Sequence, residues 1–185
     1  MKRLAIFVSG SGSNAENIAQ YFGQSTSVCV DSIWCNNPKA FALQRAEKLD
    51  VPAFVFNREQ FSKSNEIVEK LQEREIDLVV LAGFLWLIPT NLIRAFDIIN
   101  IHPALLPKYG GKGMYGMNVH RAVIENGEKE SGITIHRVDE CYDEGEVLLQ
   151  AKCNVEANDT PEDLVKKIHE LEFEHYPKVI ESLLK

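Results

Sequence analysis

Clusters of lysine and arginine are missing from this sequence, and with 20 basic residues against 27 acidic ones its formal charge is −7. A surface that grips nucleic acid needs grouped cations to neutralise phosphates, so no nucleic-acid partner is expected and any anionic ligand must be held locally. Long apolar runs are missing too. The longest, Leu78 to Pro89, contains Gly83 and stops well short of the roughly 20 residues that span a bilayer. After Met1-Lys2-Arg3 only Leu4 to Val8 is apolar before Ser9-Gly10-Ser11-Gly12, too little for a secretion signal. A first strand is the better reading, and a cytosolic chain without a membrane partner is expected. Cysteine is sparse. Cys29, Cys35, Cys141 and Cys153 show neither C-x-x-C spacing nor a nearby histidine pair at ligand spacing, so neither a disulfide framework nor a metal site is indicated. No repeat, low-complexity tract or linker divides the chain, and 185 residues suit one well-buried domain, residues 1–185. The sequence sets no oligomeric state.

What is present alternates. Arg3–Val8, Val28–Trp34, Ala53–Phe56, Leu78–Ala82 and Asp97–Ile101 read as strands, with helical periodicity after Asn14, from Pro38 to Leu49 and from Asn57 to Glu75. Beyond Pro103 come a glycine-rich loop from Lys108 to Met117, a helix from about Asn118, and two strands, Ile133–Val138 and Glu146–Val155, that read as an antiparallel addition. A last helix is signalled by Thr160 as N-cap, Pro161 at its first position and Glu162 and Asp163 in its first turn, with Pro177 as a possible kink. The expectation is an α/β fold: a single-domain, Rossmann-like, mostly parallel sheet with helices on both faces and a late antiparallel addition.

In such a sheet ligands bind beyond the carboxyl ends of the strands, and each chemical motif falls there. Gly10-Ser11-Gly12-Ser13-Asn14 follows the first strand and opens a helix, so its backbone N–H groups and the helix dipole suit a phosphate. With Ala15 it also satisfies G-x-G-x-x-A, which makes a dinucleotide-dependent dehydrogenase the rival reading. That rival wants an acid at the end of strand two, where Trp34-Cys35-Asn36-Asn37 stands instead; Asp31 lies within the strand.

Asn100 and His102 are two apart in a strand and so share a face, presenting an amide donor beside an imidazole, a pairing that suits carbonyl transfer. Asp143 lies in the acidic loop Asp139–Gly145. It matters if that loop folds over strand five, where its charge is expected to raise the imidazole's pKa and its carboxylate to accept a proton. A hydrogen-bonded structural histidine and a merely solvated acidic loop are the plainer alternatives.

Three separated stretches, Val8–Asn14, Asn100–Pro107 and Gly132–His136 through Asp143, together with Leu81-Ala82-Gly83-Phe84 and Glu172 to Pro177, carry a resemblance that runs nearly end to end. The sequence resembles the phosphoribosylglycinamide formyltransferases, or GAR transformylases, of the folate-dependent formyltransferase superfamily. The resemblance implies 10-formyltetrahydrofolate as formyl donor, no metal, small-molecule substrates, and a catalytic set of Asn100, His102 and Asp143 with His136 in support. It implies Gly12, Ser13 and Asn14 on the acceptor's phosphate and Glu172 on its ribose. It further implies Leu85, Trp86, Leu87 and Ile88 around the pterin, Arg58 near the folate tail, and Asn100 facing the donor. A formyltetrahydrofolate hydrolase, another folate-dependent formyltransferase and a non-catalytic nucleotide-binding module are the alternatives. The chain departs from the family pattern in its glycine-rich Lys108–Met117 stretch and in Glu144 and Glu146, whose added negative charge is expected to raise pKa values near Asp143.

Overall fold

A computed structural model describes residues 1–185. Strand β1 (Lys2–Val8) carries the apolar run Leu4 to Val8, buried on both sides as a central strand of a covered parallel sheet requires. Helix α1 (Ser13–Phe22) leads to β2 (Val28–Cys35), and α2 (Phe41–Lys48) to β3 (Ala53–Val55). Helices α3 (Arg58–Ser62) and α4 (Glu66–Glu73) precede β4 (Leu78–Leu81), and α5 (Thr90–Ala95) precedes β5 (Ile98–His102). The chain ends with α6 (Met117–Glu125), β6 (Glu130–Arg137), β7 (Val147–Asn154) and the long α7 (Pro161–Leu184).

All seven strands form one sheet in the order β3-β2-β1-β4-β5-β6-β7. Pairing is parallel from β3 through β5 and antiparallel from β5 to β7, as expected from the sequence. Successive side chains of β1 point to opposite faces. Leu4, Ile6 and Val8 join a core with Ile18, Val123, Leu164, Ile168 and Ile180, under α1, α6 and α7. Ala5 and Phe7 join a second core with Phe61, Ile67, Leu71 and Leu92, under α3, α4 and α5. The chain reverses its direction of travel across the sheet between β3 and β4, so β1 and β4 flank the crevice where ligands collect.

Two elements differ from the sequence reading. The single helix expected over Asn57–Glu75 is two, although Asn57 and Gln60 do form a capping box. The hydroxyls of Ser62 and Ser64 donate to the Arg58 and Gln60 carbonyls, and such side-chain bonds compete with helix continuation. Helix α5, only six residues long after Pro89, went unread. Pro177 lies inside α7. Lacking an N–H, it cannot bond the Phe173 carbonyl four residues back, and Asn17 Nδ2 of α1 donates to that carbonyl at 3.0 Å instead.

Next to it, the fully buried Tyr176 donates its hydroxyl to the Leu81 carbonyl at 2.8 Å and lies 3.3 Å from that of Ile99. This ties α7 to the last residue of β4 and to the start of β5. Tyr176→Phe leaves these carbonyls short of a donor and is expected to cost about 1–2 kcal/mol, read as a lower urea midpoint at unchanged m-value; an unchanged midpoint would show that the bond is replaced.

Candidate active site

The carboxyl ends of β1, β4 and β5 open into one cleft of about 510 Å³. Its lining takes in Ser9–Asn14, Leu81–Ile88, Asn100–Pro103, Gly111–Gly116 and Asp143, with His120 of α6 and His169 and Glu172 of α7. Ser9 joins the first two segments: its hydroxyl accepts from the Leu85 N–H at 3.1 Å, and its own N–H donates to the Gly83 carbonyl at 3.1 Å.

At the β1 end, Gly12 sits at φ +74° as the N-cap of α1 and no side chain caps the helix. The first-turn N–H groups are therefore left for a ligand. Gly12 has a second duty. A Cβ there would stand 2.6 Å from Ala42 Cβ, so glycine also lets α2 pack against the loop. The rival's acid is engaged elsewhere: Asp31 is buried between Arg3 and Arg74, with Arg74 Nε at 2.6 Å, well short of the end of β2.

Asn14 donates to Glu172 Oε2 at 2.9 Å. Burial pushes the Glu172 carboxyl up to about 7, opposed by the Asn14 bond. Asn14 Oδ1 is itself buried without a partner.

At the β5 end the register sets His136 of β6 opposite Asn100 and Thr134 opposite His102. His136 Nδ1 lies 2.8 Å from the Arg137 carbonyl, which can only accept, so Nδ1 carries the proton. Nε2 then faces Asn100 Nδ2 at 3.1 Å, which orients the amide. The same logic protonates His102 Nε2, 2.7 Å from the Tyr109 carbonyl, and leaves Nδ1 facing Asp143 Oδ2 at 3.5 Å. Asp143 Oδ1 lies 3.5 Å from both Asn100 Nδ2 and His136 Nε2, and Oδ2 accepts from the Gly111 N–H at 2.9 Å. The acidic loop therefore does fold back over β5, and Asn100, His102, His136 and Asp143 meet at one point. The turn after His102 is fixed by Thr134, which donates to Ala104 O at 2.7 Å and accepts from Leu106 N at 3.0 Å.

Two electrostatic expectations are reversed. Burial lowers the His102 pKa below its ordinary value, outweighing the opposing pull of Asp143 and the Tyr109 carbonyl. Asp143 is held below the usual carboxylate range: burial pushes it up, but the His136 contact, His102 and the Gly111 N–H together win. Glu146 turns away to Arg137 at 3.3 Å, so it does not load Asp143 with charge.

The β4 segment forms the opposite wall. Leu85 and Leu87 are exposed, Ile88 is buried, and Trp86 packs edge-on to Phe56 and near Phe61 and Phe84. Arg58 is outside the lining; its guanidinium stacks on Trp86, 4.7 Å from the ring centroid, placing it on the rim. His120 and His169 were not singled out from the sequence. His120 is buried with its Nδ1 unpartnered, and burial, with help from His169 and His102, lowers its pKa to about 4. The one available signal was that His169 precedes Glu172 by three and so shares its helix face.

A family model described as Formyl transferase matches residues 2–180. The chain belongs to the formyl transferase family. It is 36% identical to the Bacillus subtilis phosphoribosylglycinamide formyltransferase over 100% of this chain and 95% of that protein. It is 42% identical to the chloroplastic enzyme of that name from Arabidopsis thaliana over 98% of its length, but spans only 65% of that relative, and 61% of the Vigna unguiculata one. Among solved structures, glycinamide ribonucleotide transformylase 1 from Geobacillus kaustophilus superposes with a TM-score of 0.89 at 37% identity, all of both chains being covered. No helix of this formyl transferase family member is long and apolar enough to cross a membrane.

Proposed function

We propose that this chain transfers the formyl group of 10-formyltetrahydrofolate to the glycinamide amine of phosphoribosylglycinamide, a cytosolic step of de novo purine biosynthesis. The observation that carries the reading is the convergence of Asn100, His102 and Asp143 between an anion-binding helix start and an apolar wall. A phosphate-binding module needs none of the three.

The amine nitrogen attacks the formyl carbon, a new C–N bond forms, and the bond from that carbon to the folate nitrogen breaks. Negative charge builds on the formyl oxygen in between. Asn100, held by His136, donates to that oxygen. His102, neutral in the free cleft, takes up the proton lost by the amine, a transfer that Asp143 at Nδ1 favours, and as the imidazolium stabilises the oxyanion until that proton moves on. Asp143, through water, relays the proton lost by the amine to the leaving nitrogen. The N–H groups at Gly12, Ser13 and Asn14 hold the acceptor's phosphate, and Glu172 its ribose. Leu85 to Ile88 frame the pterin through their backbone, with Arg58 on the folate tail.

Incubation with 10-formyltetrahydrofolate and a panel of phosphorylated amines tests the reaction. Deformylated folate should appear only with phosphoribosylglycinamide present; release without an amine would favour a hydrolase. The division of the cleft has its own test. Gly12→Val should raise the acceptor KM more than the folate KM, and the Ala42 contact means that it should also lower Tm. An added Cβ at Gly10 meets nothing within 4 Å, so Gly10→Ala should keep Tm and still weaken acceptor binding. Equal loss of both substrates would count against separate sites.

A further inference from the structure

Bringing a phosphate into this cleft raises a charge problem. The lining already holds Asp143 and Glu172, and one of them, Asp143, is held ionised. Helix-terminal N–H groups supply partial charges, equivalent to roughly half a unit. A full positive charge must come from a side chain, and Lys112 is the only lysine or arginine among the residues that line the cleft.

The other nearby cations are committed. Lys108 is held by Glu128 at 3.0 Å, Arg45 by Glu16, and Arg58 stacks on Trp86. Lys112 has no carboxylate of the chain within ion-pair distance. It stands between Gly111, whose N–H reaches Asp143, and α6, which packs with α7 and α1 on one face of the sheet. That is the face of Asn14 and Glu172. The pterin wall joins the other face through Phe84 and Trp86. Gly111 and Gly113, on either side of Lys112, lie at φ +89° and +92° with nothing within 4 Å of an added Cβ, so the backbone there is in open space.

We propose that Lys112 is the cationic ligand of the acceptor's phosphate, opposing the N–H groups of Gly10–Asn14, and that it selects phosphorylated over unphosphorylated amines. This rests on the acceptor proposed above. A hydrogen bond to a charged group contributes enough for its loss to cost about 10- to 100-fold.

The test compares wild type with Lys112→Gln and Lys112→Arg, using phosphoribosylglycinamide and its dephosphorylated riboside. The ratio of kcat/KM for the two acceptors should fall about 10- to 100-fold in Lys112→Gln and largely recover in Lys112→Arg, with the folate KM unmoved. An unchanged ratio, both acceptors declining together, would overturn the proposal, and so would a shift confined to the folate KM. Calorimetry with ribose 5-phosphate, without folate, gives a second reading that needs no turnover: its Kd should weaken in Lys112→Gln and show a shallower salt dependence. If wild type transfers no formyl group to either amine, the proposed reaction fails. The calorimetric comparison then decides Lys112 alone, and equal Kd values would sink it.

Discussion

Asn100→Ala is expected to lower kcat by on the order of 10²–10³ while leaving the fold intact. Asn100 is only half-buried, and its side-chain bond to His136 can pass to water in the variant. His102→Ala and Asp143→Asn should be of similar severity, because His102 Nδ1 and Asp143 Oδ2 face each other at 3.5 Å and serve one proton movement. Groups that act as a unit are not additive. The double variant should therefore lose far less than the product of the two single losses. A purely structural His102 makes the opposite forecast: Tm falls, and kcat of the folded fraction stays near wild type. Strict multiplicativity of His102→Ala with Asp143→Asn would remove the partnership even if each residue mattered alone.

Glu172→Gln should stabilise the protein at alkaline pH and impair it as an enzyme. Burial raises this carboxyl to about 7 from an ordinary 4.5, so the folded chain binds the proton more tightly than the unfolded chain. Stability from this group is thus fullest below pH 4.5 and declines as pH rises to about 7. The linked penalty above that window is at most about 3 kcal/mol. Glutamine removes the charge and still offers Asn14 an acceptor oxygen. Urea midpoints of wild type and variant should be close at about pH 4.5 and separate by about pH 8, with the variant ahead, while the acceptor KM rises as the proposed ribose contact is weakened. A gap that does not grow with pH would show that folding does not raise the Glu172 pKa.

Much of this architecture was readable beforehand because it rests on local rules. The β1 run, the Thr160–Pro161 helix start and the spacing of Asn100 and His102 each express a short-range periodicity or cap. The approach of Asp143 is legible only as a condition, since nothing in an acidic loop says where it folds, and the Gly111 N–H that receives it belongs to a segment far back in the chain. The pKa directions of His102 and Asp143 failed for a related reason. Charge is visible in a sequence, whereas burial, which governs His102, comes from the packing of the whole sheet end. The break between α3 and α4 was within reach, because serines at 62 and 64 are of the type that competes for backbone bonds. His120 was not, since it faces the cleft only through the packing of α6.

The two cores have an evolutionary consequence. The wall that would receive the acceptor is built on the side of α1, α6 and α7, and the wall that would receive the donor on the side of α3 to α5, with Asn100 and His102 at the carboxyl end of the interior strand β5 between them. Mutations that reshape one wall repack one core and leave the other largely untouched. A lineage on this scaffold can therefore exchange the amine it modifies while inheriting its one-carbon donor unchanged, and the route to a new acceptor runs through α6 and α7 with Asn100, His102 and Asp143 left in place.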